Sequence, residues 1–410
     1  MQVIAWGIRA WIGLLGVLLA LGLASTGAWA ARSGEFITPD TRYWIDPQGQ
    51  ATIDEVLRLP PDALQAMERP RTFEINRGAL WLRYEVPALD TARRWYLVLE
   101  GGAFTNRATL YTPGTGGTWQ VQTAGDHLPV AEWTLPDRMP VFTLDSAAGT
   151  VVWLRLENHP APLSPSLRLQ DAQDLQMSRD RALLALGMYL GFGLLVLFLG
   201  WVHIRLYGDR VFIAYVSYVT CMLGFQIAFT GLGGLFFWPT LPRWNDAAPA
   251  LFMLWLTAAG IWFVREVSAL SRHRRLIYRF ATAWSLFGFL YPILYFMFLI
   301  PAAFKLLNLY GLLSVLLSFG LCIWAWRKGE TYAGWIALGF LPLHLAQPFP
   351  ALRSAGVLAD SWATQYAVLI GSAMEIPLLL YILHRRAKDF NENAARMRVI
   401  SAALISLWTM

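Results

Sequence analysis

Two short runs repeat one chemical pattern. WLRYE holds Trp81, Arg83 and Glu85, and WLRLE holds Trp153, Arg155 and Glu157. Alternate side chains of an extended strand share a face, so each trio projects to one side. Arginine and glutamate can hydrogen-bond hydroxyls or a carboxylate, and an indole offers an apolar face to the C–H edges of a sugar ring. The same pattern also describes a solvated sheet face with cross-strand ion pairs, and both readings stay open here. A third feature lies far along the chain. Glu375 sits in the middle of QYAVLIGSAMEIPLLLYIL (Gln365 to Leu383), a run apolar enough to cross a bilayer, where a carboxylate is expensive. At ~1.5 Å rise per residue, Glu375 is too far from either interface to reach water. It should therefore face other helices, with His344 or Gln226 as candidate partners and Gln347 a turn further out. It serves either as a structural interhelix hydrogen bond or as a coupling element between the two sides. His127 and His159 are lone histidines without metal-ligand spacing. No nucleophile–base pattern, metal set or cofactor box stands out, so no catalysis and no cofactor are expected.

These residues need elements to hold them. The chain has 410 residues, 56% hydrophobic and only 15% charged, against about 25% charged in soluble domains. Its net charge of +6 forms no basic stripe on a soluble domain, which argues against nucleic acid. The cationic residues sit between apolar runs, as topology-setting residues do. Cys221 and Cys322 both lie in such runs and suggest neither a disulfide nor a zinc site. At the N-terminus Arg9, the run Trp11 to Ala24 and the small residues Ala28 to Ala30 read as a signal peptide over 1–30, with an uncleaved anchor as the alternative.

Residues 33–175 carry short alternating runs bounded by Gly, Pro and Asp. In LWLRYEV, Leu80, Leu82, Tyr84 and Val86 face one way and Trp81, Arg83 and Glu85 the other. Such runs predict an all-β sandwich or jelly roll. One helix interrupts it at TIDEVLRL, where Thr52 and Glu55 form a capping-box pattern. From residue 181 to 386 seven apolar segments follow, approximately 182–204, 211–231, 248–264, 281–300, 303–326, 332–350 and 364–384. The expected class is therefore a β-sandwich followed by an all-α bundle of seven transmembrane helices. Fourteen Lys and Arg lie on one side of these segments, among them Arg272, Arg274, Arg275, Arg385 and Arg386; three, Arg243, Lys305 and Arg353, lie on the other. The positive-inside bias puts the sandwich outside and the tail 387–410 in the cytoplasm, as the signal peptide also requires. In a bacterial cell that means a multi-pass inner-membrane protein with a periplasmic domain.

An exported β-domain, seven helices and a cytoplasmic end resemble one bacterial family, the seven-transmembrane receptors with diverse intracellular signalling modules. YWIDPQGQATIDEVLRL, GALWLRYEV, WYLVLEGG and VVWLRLEN resemble the course of its second type of extracellular domain. GMYLGFGLLVLFLGWVHIRLYGDRVFIAYVSYVTCMLGFQIAFTGLGGLFFWP is similar to the first two helices and following loop of its seven-helix module, and QYAVLIGSAMEIPLLLYIL to the last helix. The resemblance implies a receptor that senses a periplasmic small molecule, suspected to be carbohydrate. The signal would pass to an effector such as a diguanylate cyclase or histidine kinase. After HRRAKDFNENAARMRV the chain ends in ISAALISLWTM without a GGDEF or kinase motif. The effector is then either lost in cis by truncation or frameshift, or supplied in trans. Membrane lipid is a further expected partner, and a homodimer is allowed. The competing class is a transporter or integral-membrane enzyme using Glu375 and the histidines. Spans one to six carry essentially no acids, which disfavours it.

Overall fold

A computed structural model describes residues 41–67, 71–75, 77–100, 103–145, 149–298, 301–354, 357–358 and 362–408. Residues 1–30, read above as a signal peptide, lie outside the described residues. The chain divides into two compact units. One comprises the N-terminal part to Leu183 with Thr230–Asp246 and Ala346–Val368; the other comprises Leu184–Phe229, Ala247–Leu345 and Leu369–Met410.

The first unit is built on an antiparallel β-sandwich. Its strands are β1 (Arg42–Asp46), β2 (Gln65–Ala66), β3 (Ala79–Glu85), β4 (Trp95–Glu100), β5 (Arg107–Pro113), β6 (Trp119–Ala124), β7 (Val141–Leu144), β8 (Val151–Glu157) and β9 (Ser166–Asp171). Six form one sheet in the order β2-β1-β3-β8-β5-β6, and three form the other in the order β7-β4-β9. The alternation read in LWLRYEV sets the sidedness: Leu80, Leu82, Tyr84 and Val86 enter the core between the sheets with Leu97, Leu99, Leu110, Phe142, Leu154 and Leu156. Asp46 shapes the exit from β1, accepting the backbone N–H of Gln48 at 3.0 Å and of Ala51 at 2.7 Å. Helix α1 (Ile53–Leu57) follows, and the Glu55 carboxylate accepts the Thr52 N–H at 2.8 Å, as the capping-box pattern predicts.

No linker separates β9 from the first long helix, α2 (Ala172–Tyr207). Asp171, the last residue of β9, caps it by accepting the Asp174 N–H at 2.8 Å. Within the first unit, Leu175 of α2 packs on Val98 and Val141 on the outer face of the three-stranded sheet.

The second unit is helical. It draws on α2, α3 (Arg210–Phe229), α4 (Pro242–Val267), the short α5 (Leu270–His273), α6 (Arg275–Phe298), α7 (Pro301–Arg327), α8 (Thr331–Gly339), α9 (Leu341–Ala346) and α12 (Ala367–Trp408). The short α10 (Pro348–Ser354) and α11 (Trp362–Gln365) belong to the first unit. Among the described residues five helices are long and apolar enough to cross a membrane. Their outer faces stay apolar: Leu184, Met188, Leu195 and Phe198 on α2 and Leu309, Leu312 and Leu316 on α7 are exposed, the pattern of lipid contact. The sixth apolar segment departs from the expected continuous span and divides into α8, α9 and α10. Pro342 and Pro348 have no N–H for the preceding turn, so the ladder is interrupted at each. The last helix is longer than expected: α12 has 42 residues, roughly 60 Å at ~1.5 Å per residue, about twice the hydrocarbon thickness.

Candidate functional site

The structure brings the two WLR-x-E trios together. β3 and β8 are antiparallel neighbours with Trp81 opposite Arg155 and Arg83 opposite Trp153. The face they share is roofed, however. Trp81 and Trp153 are 0% and 4% exposed and form a second core with Val56 of α1 and Ala79, against Trp44, Ile53, Leu59 and Tyr111. Trp81 stacks on Tyr111 at 5.5 Å. The Arg155 guanidinium lies over the Trp81 ring, pairs with Glu157 and donates to the Gly49 carbonyl at 2.6 Å. Arg83 and Glu85 make a looser 3.9 Å pair towards the strand end. Neither Trp81 nor Trp153 presents an open indole face. The missed signal is α1 itself: a helix inserted between two strands needs a surface on which to bury Val56.

A cleft of about 50 Å³ lies over the three-stranded sheet, between Glu100 and Arg168 and the α2 residues Arg179 and Ala182. Ion pairs fill its walls, Arg168–Glu100 at 3.2 Å and Arg179–Asp137 at 2.8 Å. Its volume suits water, whereas ligand pockets take about 300 Å³ or more.

A compact polar cluster forms where the turn after β6 meets the start of α4. Gly125 opens that turn at φ +137°, and a Cβ there would stand 2.4 Å from the Asn106 carbonyl oxygen, so the close approach requires glycine. The turn presents Asp126 and His127. The Asn106 amide donates to Asp126 Oδ1 at 3.1 Å and to Oδ1 of Asp246, the fifth residue of α4, at 3.2 Å. The amide's own orientation is held by the His159 N–H, which donates to Asn106 Oδ1 at 2.5 Å. His127 Nε2 stands 3.5 Å from Asp246 Oδ2. Burial, and then the neighbouring Asp246 carboxylate, push the Asp126 carboxyl up to about 7. The bond to Asp246 raises His127 above its ordinary value. His127, read from sequence as a lone histidine, thus has two carboxylates beside it. Other ties in the same unit join the sandwich to the loop before α4: Arg138 Nη1 donates to the Thr230 carbonyl at 2.9 Å and the Ala131 N–H to that of Pro239 at 3.3 Å.

In the helical unit Glu375 is fully buried. Its partner is not His344: the Tyr218 hydroxyl of α3 donates to Glu375 Oε1. His344 is turned to the break before its own helix, with Nδ1 2.7 Å from the Phe340 carbonyl and its ring against Phe319 and Phe340. Gln226 bonds one turn from Glu375, with Nε2 donating to Ser372 Oγ at 3.3 Å. Ser372 Oγ in turn lies 3.0 Å from Tyr189 of α2. Tyr215 donates to the Ile376 carbonyl at 2.5 Å. Three helices are thus laced at one level, chiefly by tyrosines that look like ordinary aromatic packing in the sequence. Further along α12, His384 Nδ1 is 3.1 Å from His203 Nε2 and Arg386 pairs with Asp209 at 2.6 Å. Tyr332 donates to Asp389.

A family model described as 7TM diverse intracellular signalling matches residues 182–386, half of the chain. A second, described as 7TMR-DISM extracellular 2, matches 38–171. No curated protein matches the chain.

Proposed function

The chain belongs to the 7TM diverse intracellular signalling family, membrane sensory receptors with an extracellular and a seven-helix part, and on that premise we propose that it reads a periplasmic small molecule and passes the signal to the cytoplasm. It sits in a bacterial inner membrane with the C-terminus inside, and it has no catalysis of its own. The ligand is carbohydrate-like. The output is an effector of the diguanylate cyclase or histidine kinase kind, in the same chain or a partner chain.

One observation carries this reading. The outer ends of two membrane helices are fastened to the sandwich, α2 through the Asp171 cap and Leu175, and α4 through Asn106 and Asp246. A ligand that shifts the sandwich shifts those helix ends with it. Because Trp81 and Trp153 are roofed by α1, sugar contact on the β3–β8 face would go through Arg83, Glu85 and the strand ends. The test uses the full chain in nanodiscs, with hydrogen exchange followed over 387–408 while mono- and oligosaccharides are added. A phosphatase active only outside the cytoplasm is fused after Arg386 in cells. The expected results are a ligand-dependent change in exchange and a silent fusion. A strongly active fusion refutes the topology, and exchange unmoved by every sugar refutes carbohydrate sensing.

A further inference from the structure

We propose that Asp126, His127 and Asp246 bind a divalent first-row transition cation of the zinc type. One carboxylate oxygen of each aspartate and one ring nitrogen of His127 already lie within 4.8 Å of one another. Donors around zinc at about 2.0–2.2 Å stand roughly 3.3–3.6 Å apart, so a closing movement of at most about 1.5 Å brings the three donors to ligating distance. The member with open space around it is His127, whose side chain is 48% exposed, while that of Asp246 is 14% exposed.

The arrangement around the carboxylates is what a cation needs. Asn106 takes Oδ1 of both aspartates and leaves Oδ2 of both to a further partner. Asp126 is 1% exposed, and its Oδ2 has no hydrogen-bond partner among the described residues. A buried acceptor left in that state is costly. Two aspartates converge on one half-exposed imidazole, and a bound cation would hold both carboxylates in their ionised form. Asn106 then plays the outer role usual at metal sites, orienting the ligating carboxylates through their second oxygens, itself held by the His159 N–H. The imidazole decides the ion class. Calcium and magnesium prefer all-oxygen sets, whereas a nitrogen with two carboxylates suits zinc and its neighbours. The ion would join the turn after β6 directly to the N-terminal part of α4. Binding itself does not depend on the receptor reading: a chain that binds zinc and transmits nothing would overturn that reading alone.

The test uses the full-length protein in detergent, stripped with chelator and titrated separately with zinc and calcium by calorimetry, with bound metal counted by elemental analysis. A single zinc ion per chain with micromolar or tighter affinity is expected, not displaced by a tenfold excess of calcium. Asp246→Asn and His127→Ala should each weaken zinc at least tenfold while keeping the chelator-treated protein's thermal midpoint. With cobalt in place of zinc, the visible absorption should be lost in His127→Ala. The His203–His384 pair is the competing site, so His384→Ala should leave binding unchanged. No bound zinc, a preference for calcium, equal binding in both cluster variants, or loss in His384→Ala overturns the proposal.

Discussion

Removing the Tyr218 hydroxyl and the Glu375 carboxylate together should cost less than the sum of the two removals made singly. Tyr218 and Glu375 are 4% and 0% exposed, and the hydroxyl donates to Oε1. Tyr218→Phe deletes the donor and leaves a buried acceptor; Glu375→Leu deletes the acceptor and leaves a buried hydroxyl. An orphaned buried polar group costs about 1–3 kcal/mol. Interhelix hydrogen bonds in membranes average only about 0.6 kcal/mol with a maximum near 1.7, because the unfolded chain in the membrane also finds partners. The coupling energy should therefore fall at about 1–2 kcal/mol, towards the upper end because neither group reaches water. Glu375→Gln keeps an acceptor oxygen at the same place and should cost less than about 1 kcal/mol on the same scale. The assay is reversible unfolding of the full chain in mixed micelles of increasing denaturing detergent, for the wild type, both single variants, the double variant and Glu375→Gln. Additivity of Tyr218→Phe and Glu375→Leu within about 0.5 kcal/mol would refute the claim that this bond holds α3 to α12. A Glu375→Leu chain whose α12 responds normally to ligand would refute a coupling role for the residue.

Two further outcomes follow from the sandwich. Trp81→Ala removes a fully buried indole from the core under α1 and should destabilise the exported domain by about 3–5 kcal/mol, seen as a lower midpoint for protease cleavage of the sandwich in the full chain. Arg83→Ala on the same strand should stay within about 0.5–1 kcal/mol, and equal effects would refute the roofed-face geometry. The Asp171 carboxyl is held below the usual carboxylate range by the Asp174 N–H and then by Arg93. Its contribution is therefore complete above the unfolded carboxylate pKa of about 3.9 and is lost as pH falls through the lower folded value. Asp171→Ala should cost about 0.5–2 kcal/mol at neutral pH, and the difference from wild type should shrink below pH 4 in thermal melts; a difference that is constant from pH 7 to pH 3 would refute the cap.

Much of the fold was legible because it rests on short-range pattern. Alternation in β3 assigned each side chain to its face, and the Thr52–Glu55 spacing located α1. Lipid-facing helices announce themselves by length and composition, and the basic loops mark their ends. What pattern cannot supply is which surface an element covers. The outer face of β3 and β8 reads as polar and aromatic, and nothing in WLRYE says that a helix starting eleven residues after β1 opens will lie on it. The broken sixth segment was readable in principle, since Pro342 and Pro348 stand in the sequence, but apolar composition dominated and hid the loss of ladder bonds.

The polar sites were legible only as isolated residues, and the reason is distance along the chain. Tyr218 and Glu375 are 157 positions apart, and Asn106 and Asp246 are 140 apart. Depth in a span narrows the partners of Glu375 to a level of the bilayer, and His344 and Gln226 share that level. The choice among them is made by helix rotation: Tyr215, Tyr218, Met222 and Gln226 fall on one buried face of α3, and that face carries the hydroxyl to Oε1. His344, in the short α9, spends Nδ1 on the carbonyl of Phe340 at the break before that helix. The same logic applies outside the membrane. His127 has no metal-ligand spacing because its companions come from the adjacent turn residue and from the start of a membrane helix. A cluster assembled from a turn of the sandwich and a residue of α4, 140 positions beyond Asn106, leaves no local motif.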